Sequence, residues 1–211
     1  MSEGFAELSA SLYIQSAYSS EPQKYDQFWN EEHKPLIERN KEGFRAIDAG
    51  PVTMGYRLSN SREGFDITRH LVYPKGAYIL HMIRMMMYDL QAGDQRFKET
   101  MHDFVSTYAE QSATTENFKA VVEKHMTAGM DLDGNHKMDW FFNEYVYGTQ
   151  LPSYKPDYSF EPGADGDLVL NMKLAQSGVS PDFRMPVPSI WNSLAERSPA
   201  WGLHAPSATR R

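Results

Sequence analysis

Cysteine is absent from the 211 residues. That excludes disulfide staples, CxxC redox sites, thiolate catalysis and every cysteine-ligated zinc or iron–sulfur centre. No run approaches about 18 uninterrupted apolar residues, so no segment reads as a membrane-spanning helix. Basic charge is scarce and scattered: 21 Lys and Arg stand against 28 Asp and Glu, a formal net charge of −7. The only basic doublet is Arg210-Arg211. Neutralising phosphates takes a clustered excess of cations, so no nucleic-acid partner is expected. The seven histidines include no two that lie four apart, so there is no HExxH and no helix offering two imidazoles to one metal. GxSxG, Walker and GxGxxG loops are missing as well. Met1 to Phe5 shows neither the basic nor the apolar stretch of a signal peptide.

What is present suffices for a folded core: 41% of residues are hydrophobic and 13% aromatic, well above a disordered composition. The expected class is mainly α. Phe5, Leu8 and Leu12 recur at helical spacing over 5–17, and a second helix is expected over 22–39, with Pro35 breaking or kinking it. Residues 41–71 lack periodicity and read as a long connection with one short helix at most. After Pro74 an apolar stripe through Ile79, Met82, Ile83, Met86 and Leu90 predicts a helix capped at Gly93. Further helices are expected over 94–110, with Phe97, Met101, Phe104, Val105 and Tyr108 inward, and from the capped start at Thr114 towards Gly129. Residues 138–147 close the series. Leu168 to Leu174 alternates as a strand, and 186–211 shows no clear element.

Several chemical signals have plainer explanations. Asp131-Leu132-Asp133-Gly134-Asn135 places its Gly too early for a calcium loop, and Phe142 stands where the loop needs Glu, so it reads as a polar turn. The Met82–Met87 run reads as core filling, which thioethers do well. His70 and His81 read as core or rim residues. Two segments are more specific, each opening an apolar helix: Glu3-Gly4-Phe5-Ala6-Glu7 and Val72-Tyr73-Pro74-Lys75-Gly76-Ala77-Tyr78. Taken singly, Glu3 is a carboxylate at a helix N-terminus, and Tyr73 is an aromatic packing at a helix start.

Together, Glu-Gly-Phe-Ala and, seventy residues on, Tyr-x-Lys-Gly-Ala resemble the catalytic domain of the gluzincin zinc aminopeptidases, of alanyl aminopeptidase and leukotriene hydrolase type. The resemblance runs over about residues 3–175. It continues through Phe97, Thr115 to Phe118, the Asp139–Gly148 run and Leu151-Pro152-Ser153-Tyr154, departing at Asn117-Phe118 and at 134–138. It implies that Glu3 is a zinc ligand and that Tyr73 is the phenol stabilising the oxyanion. Lys75 and Gly76 would shape the turn, and Glu7 would stand behind the site or in solvent.

The same resemblance implies that the chain is the helical C-terminal half of a thermolysin-like catalytic domain followed by a short β-rich segment. Residues 1–148 would be the helical part, 149–190 the start of a β-sandwich-like domain and 191–211 an irregular tail. The HExxH segment, with two His ligands and the general base, would lie in a missing N-terminal half. Zinc would belong to the intact parent enzyme, which acts on peptide substrates, and this chain alone would bind none and be inactive. The apolar face left by the missing half would invite self-association. The rival reading is a non-catalytic helical domain for interaction or scaffolding, in which Glu3 and Tyr73 are ordinary helix-start residues.

Overall fold

A computed structural model describes the backbone of residues 2–59, 62–64, 66–163, 168–191 and 200–204, and the side chains of these apart from positions 2, 56, 188–191 and 200–204. The chain divides into two compact units, Met1–Thr149 and Gln150–Arg211. The first is helical: α1 (Ser2–Ala17), α2 (Gln23–Ile37), α3 (Ile67–Met87), α4 (Gln95–Thr107), α5 (Thr115–His125) and α6 (Asp139–Phe141), which runs on as a π-helical turn over Phe142–Val146. The protein is mainly α, as its composition and periodicity lead one to expect.

α3 is the centre of this unit. A helix apolar around most of its circumference belongs inside, and Ile67, Leu71, Ala77, Leu80, Ile83 and Met87 are each at most 1% exposed. Every fully buried Leu or Ile of this kind contributes roughly 1.5–3 kcal/mol. α1 crosses α3 at two glycines. A Cβ on Gly4 would stand 2.7 Å from the Gly76 carbonyl carbon and 2.8 Å from its Cα. The two backbones therefore touch with no side chain between them, and Gly is required at position 4 by space rather than by torsion angle. At the far end of α1, the buried Arg84 of α3 donates from NH2 to Gln15 Oε1 at 2.8 Å. It also forks onto Asp94 (Nε to Oδ1 2.8 Å, NH2 to Oδ2 2.6 Å) and reaches the Tyr25 hydroxyl at 3.2 Å.

The bounds of α3 depart from expectation at both ends. It begins at Ile67, seven residues before Pro74, because Ile67, Thr68, Leu71 and Val72 all bury against neighbours and outweigh the bond that Pro74 cannot donate. It ends at Met87; Tyr88 is extended, Leu90 is 49% exposed, and Gly93 (φ 61°) serves a tight turn with Asp89 instead of capping the helix. The aperiodic stretch before α3 is also not a bare connection. Its 3₁₀ turns, Ala46–Asp48 and Val52–Leu58, deliver Ala46, Ile47 and Leu58 to a core shared with Leu36, Ile67 and Leu71.

On α4, Val105 is 67% exposed, and Thr100 takes the inward position instead, its hydroxyl donating to the Arg96 carbonyl at 2.8 Å. α5 starts as its sequence announces: the Thr114 hydroxyl accepts the Asn117 N–H at 3.2 Å, while Asn117 Oδ1 accepts the Thr114 N–H at 2.9 Å. Phe5 of α1 meets Phe118 edge-on at 5.5 Å and Phe104 in a stack at 6.1 Å, tying the first turn of α1 to α4 and α5.

Among the described residues the second unit holds two antiparallel pairs. β1 (Ser153–Pro162) pairs with β2 (Leu168–Ser177), in register from Ser153 opposite Ser177 to Pro162 opposite Leu168. β3 (Val187–Trp191) pairs with β4 (Ala200–His204), where the sequence shows no clear element. Alternation gives the β1–β2 ribbon one apolar face, with Tyr158, Phe160, Leu170 and Met172, and one polar face, with Asp157, Ser159, Asn171 and Lys173.

Two tests follow from the helical packing. In an open helix Gly→Ala gains up to about 1 kcal/mol; here Gly4→Ala is expected to lose about 1–3 kcal/mol by forcing α1 off α3, read as a lower denaturant midpoint. The second concerns His81, which stacks on Trp29 at 4.5 Å and 21°, and whose Nδ1 is buried without a hydrogen-bond partner among the described residues. Burial, and then the neighbouring Arg84 charge, push its pKa from 6.5 down to about 4, with Asp94 opposing. The unfolded chain therefore takes up this proton first. Stability is full above pH 6.5 and falls as pH drops towards 4, by up to about 3 kcal/mol. His81→Leu is expected to flatten that slope in unfolding curves measured between pH 4 and 7.

Candidate functional site

Glu3 stands in the first turn of α1, half-buried, next to the glycine on which the helix crosses α3. A cavity of about 270 Å³ opens beside it. Val72, Gly76, Ile79 and Leu80 of α3 form one wall, Val52, Thr53 and Gly55 of the 3₁₀ stretch another, and Thr115 at the start of α5 completes it. The lining residues are glycine or aliphatic apart from Glu3, Thr53 and Thr115. Gly55, with φ 53° and ψ −136°, bends the 3₁₀ stretch at this point, a conformation open to glycine and strained for other residues.

Tyr73 lies on α3 between Val72 and Pro74, half-buried, one turn ahead of Gly76. It is not part of the cavity lining, although Val72 beside it and Gly76 after it both are. The Arg69 guanidinium, one turn earlier, sits 5.7 Å from the centre of its ring. Lys75 points into the protein. It is 6% exposed, and its Nζ donates to the Gly148 carbonyl at 2.7 Å, beyond the π-helical turn. Burial lowers its pKa from 10.5 to about 8.

The crossing thus brings the Glu3 turn and the Tyr73–Gly76 turn against each other and leaves other candidates elsewhere. Glu7 is half-buried on α1, and its charge bears on Glu32 of α2, whose pKa rises through burial first and through Glu7 second. Asp131 Oδ1 accepts the N–H groups of Asn135 and His136 at 2.9 and 3.1 Å, the pattern of a polar turn. Met86 and Met87 are buried, at 5% and 1%, and Met82 and Met85 half-buried. Sequence reasoning missed Val52, Thr53, Gly55 and Thr115, because the first three lie in a stretch without periodicity and Thr115 reads as capping chemistry. Among the described residues, no three His, Asp or Glu side chains gather where they would hold a metal ion, and no helix is long and apolar enough to cross a membrane.

Comparison with known proteins gives one positive result. No curated protein and no solved structure matches the chain. A family model described as the peptidase family M1 domain matches residues 1–145. That span takes in the Glu3 and Tyr73 motifs, the cavity beside Glu3 and the whole run of helices to Tyr145. The metallopeptidase kinship suggested by Glu-Gly-Phe-Ala and Tyr-x-Lys-Gly-Ala thus extends over more than half of the sequence, and the chain belongs to peptidase family M1.

Proposed function

We propose that this chain forms the helical part of the catalytic domain of a zinc-dependent aminopeptidase, with Glu3 as a metal ligand and Tyr73 as the donor to the reacting carbonyl oxygen. The observation that carries the reading is the crossing of α1 and α3 on Gly4 and Gly76. It brings the turn carrying Glu3, which lines the cavity, against the turn of α3 that carries Tyr73, seventy positions on in sequence, in a chain of family M1.

Glu3 by itself is an incomplete donor set. The 211 residues contain no HExxH, and no three suitable side chains gather among the described residues. The residues present therefore do not make a zinc site alone. In this proposal the two imidazoles and the general-base carboxylate come from a segment outside these residues, corresponding to the other half of a thermolysin-like domain. Zinc with an open coordination position acidifies water and polarises a carbonyl. In this reading Tyr73 would supply the O–H donor for the negative charge that develops, and removing such a donor typically costs about 10²–10³ in kcat. Glu3 contributes a half-buried carboxylate held by the helix crossing, and its negative charge is favoured at the N-terminal turn of α1.

Three outcomes are expected. The 211-residue chain alone should show no zinc-dependent release of an aminoacyl reporter. Turnover that is lost with a chelator and with Tyr73→Phe would refute the placing of the other ligands outside it. In the enzyme completed by an HExxH-bearing segment, Tyr73→Phe should lower kcat about 10²–10³-fold with little change in KM, and Glu3→Ala should abolish zinc retention measured by metal analysis after gel filtration. Full activity in Tyr73→Phe would remove the phenol from the reaction.

A further inference from the structure

We infer that Lys75 is a positioning residue for Tyr73, its buried ammonium clamping the tyrosine-bearing turn of α3 to the Gly148 carbonyl at the end of the helical unit. The inference rests on the proposed role of Tyr73 and begins with the backbone beside it. Pro74 follows Tyr73 directly inside α3. It has no N–H to give the His70 carbonyl, and its ring crowds that carbonyl, so this turn is the least self-supporting part of the helix. Its direction must come from outside the helix, and two contacts provide it. Gly76 lies flat against Gly4 on one side. Lys75 reaches Gly148 on another, with Nζ 2.7 Å from the carbonyl oxygen.

The geometry of the clamp is specific at both ends. Residues two apart on a helix project to nearly opposite sides, so a pull on Lys75 acts across the axis from Tyr73 and sets the tilt of the turn. The acceptor is equally confined. A Cβ on Gly148 would lie 2.3 Å from the Glu144 carbonyl oxygen and 2.8 Å from that of Asn143. Gly148 is thus pressed against the π-helical turn that is closed by the Tyr147 N–H on the Phe142 carbonyl at 2.9 Å. At 6% exposure an ammonium has lost most of its water, and an apolar side chain would fill the same space without that loss. What the ammonium adds is a directed bond, favoured where helix carbonyls point outward at a C-terminal end.

The test uses the 211-residue chain with ¹³C-labelled tyrosine, the Tyr73 ring resonance being assigned by its loss in Tyr73→Phe. Lys75→Met keeps length and removes the donor. It is expected to move the Tyr73 resonance and to speed amide exchange over residues 76–78 about tenfold or more, with circular dichroism unchanged. Lys75→Arg, which keeps a cationic donor, is expected to restore the wild-type resonance. Gly148→Ala, which displaces the acceptor, is expected to reproduce the Met result with Lys75 intact. A folded Lys75→Met whose Tyr73 resonance stays in place overturns the inference, and where that variant fails to fold, an unmoved resonance in Gly148→Ala does the same. Turnover plays no part in this measurement. Full activity in a completed Tyr73→Phe enzyme would sink the proposed function and leave the clamp standing.

Discussion

Contact between two glycine backbones governs the helical unit. Packed helices usually stand about 8–10 Å apart, held off by their side chains. At Gly4 and Gly76 there are none, and any Cβ added to Gly4 would collide with backbone atoms. So close an approach fixes the depth at which α1 sits in α3, and with it the height of Glu3 over the Val72–Gly76 face. One contact point leaves a helix free to swing about it. The Gln15–Arg84 hydrogen bond, three turns further along α1, removes that freedom. Phe5, wedged against Phe104 and Phe118, hinders rotation of α1 about its own axis.

Much of this was legible in the sequence, and the exceptions have physical causes. The helical class, the start of α5 at Thr114 and the alternation of β2 follow from capping chemistry and period, which act locally. The Glu3 and Tyr73 motifs were both visible as residue strings. Their apposition was not, because Gly4 and Gly76 meet across the interior and nothing near either one records the other. The early start of α3 was hidden by Pro74, which reads as a helix start when tertiary burial is unknown. β1 was hidden in the same way by Pro156 and Pro162. The cavity wall at Val52 to Gly55 comes from 3₁₀ geometry, whose three-residue turn is too short to leave a periodic pattern.

Two buried cations in α3 show how the unit treats charge. Arg84 lies on a carboxylate that matches its planar fork. Burial works against its charge, but the hydrogen bonds and charge of Asp94 outweigh that and raise its pKa. Lys75 is bonded to a carbonyl, which carries no full charge, and burial prevails. The first arrangement joins four helical segments through one head group, using Gln15, Tyr25 and Asp94. The second joins only two, the middle of α3 and the exit from the last helix, but it does so beside Tyr73, the proposed donor.

The two prolines of β1 have an effect on the other unit. Pro156 and Pro162 are six residues apart, so they share one phase of the pleat, and both sit within an unbroken ladder with β2. An imide nitrogen is tolerated there only where its missing hydrogen would have pointed away from the partner strand. Both gaps therefore fall along the border of β1 turned away from β2, leaving its outer row of donors incomplete. A foreign strand aligning itself there would find acceptors with no matching hydrogens at two places. Despite the bare aromatic face carrying Tyr158 and Phe160, that margin of the ribbon is a poor template for sheet growth and a safeguard against fibre-like stacking.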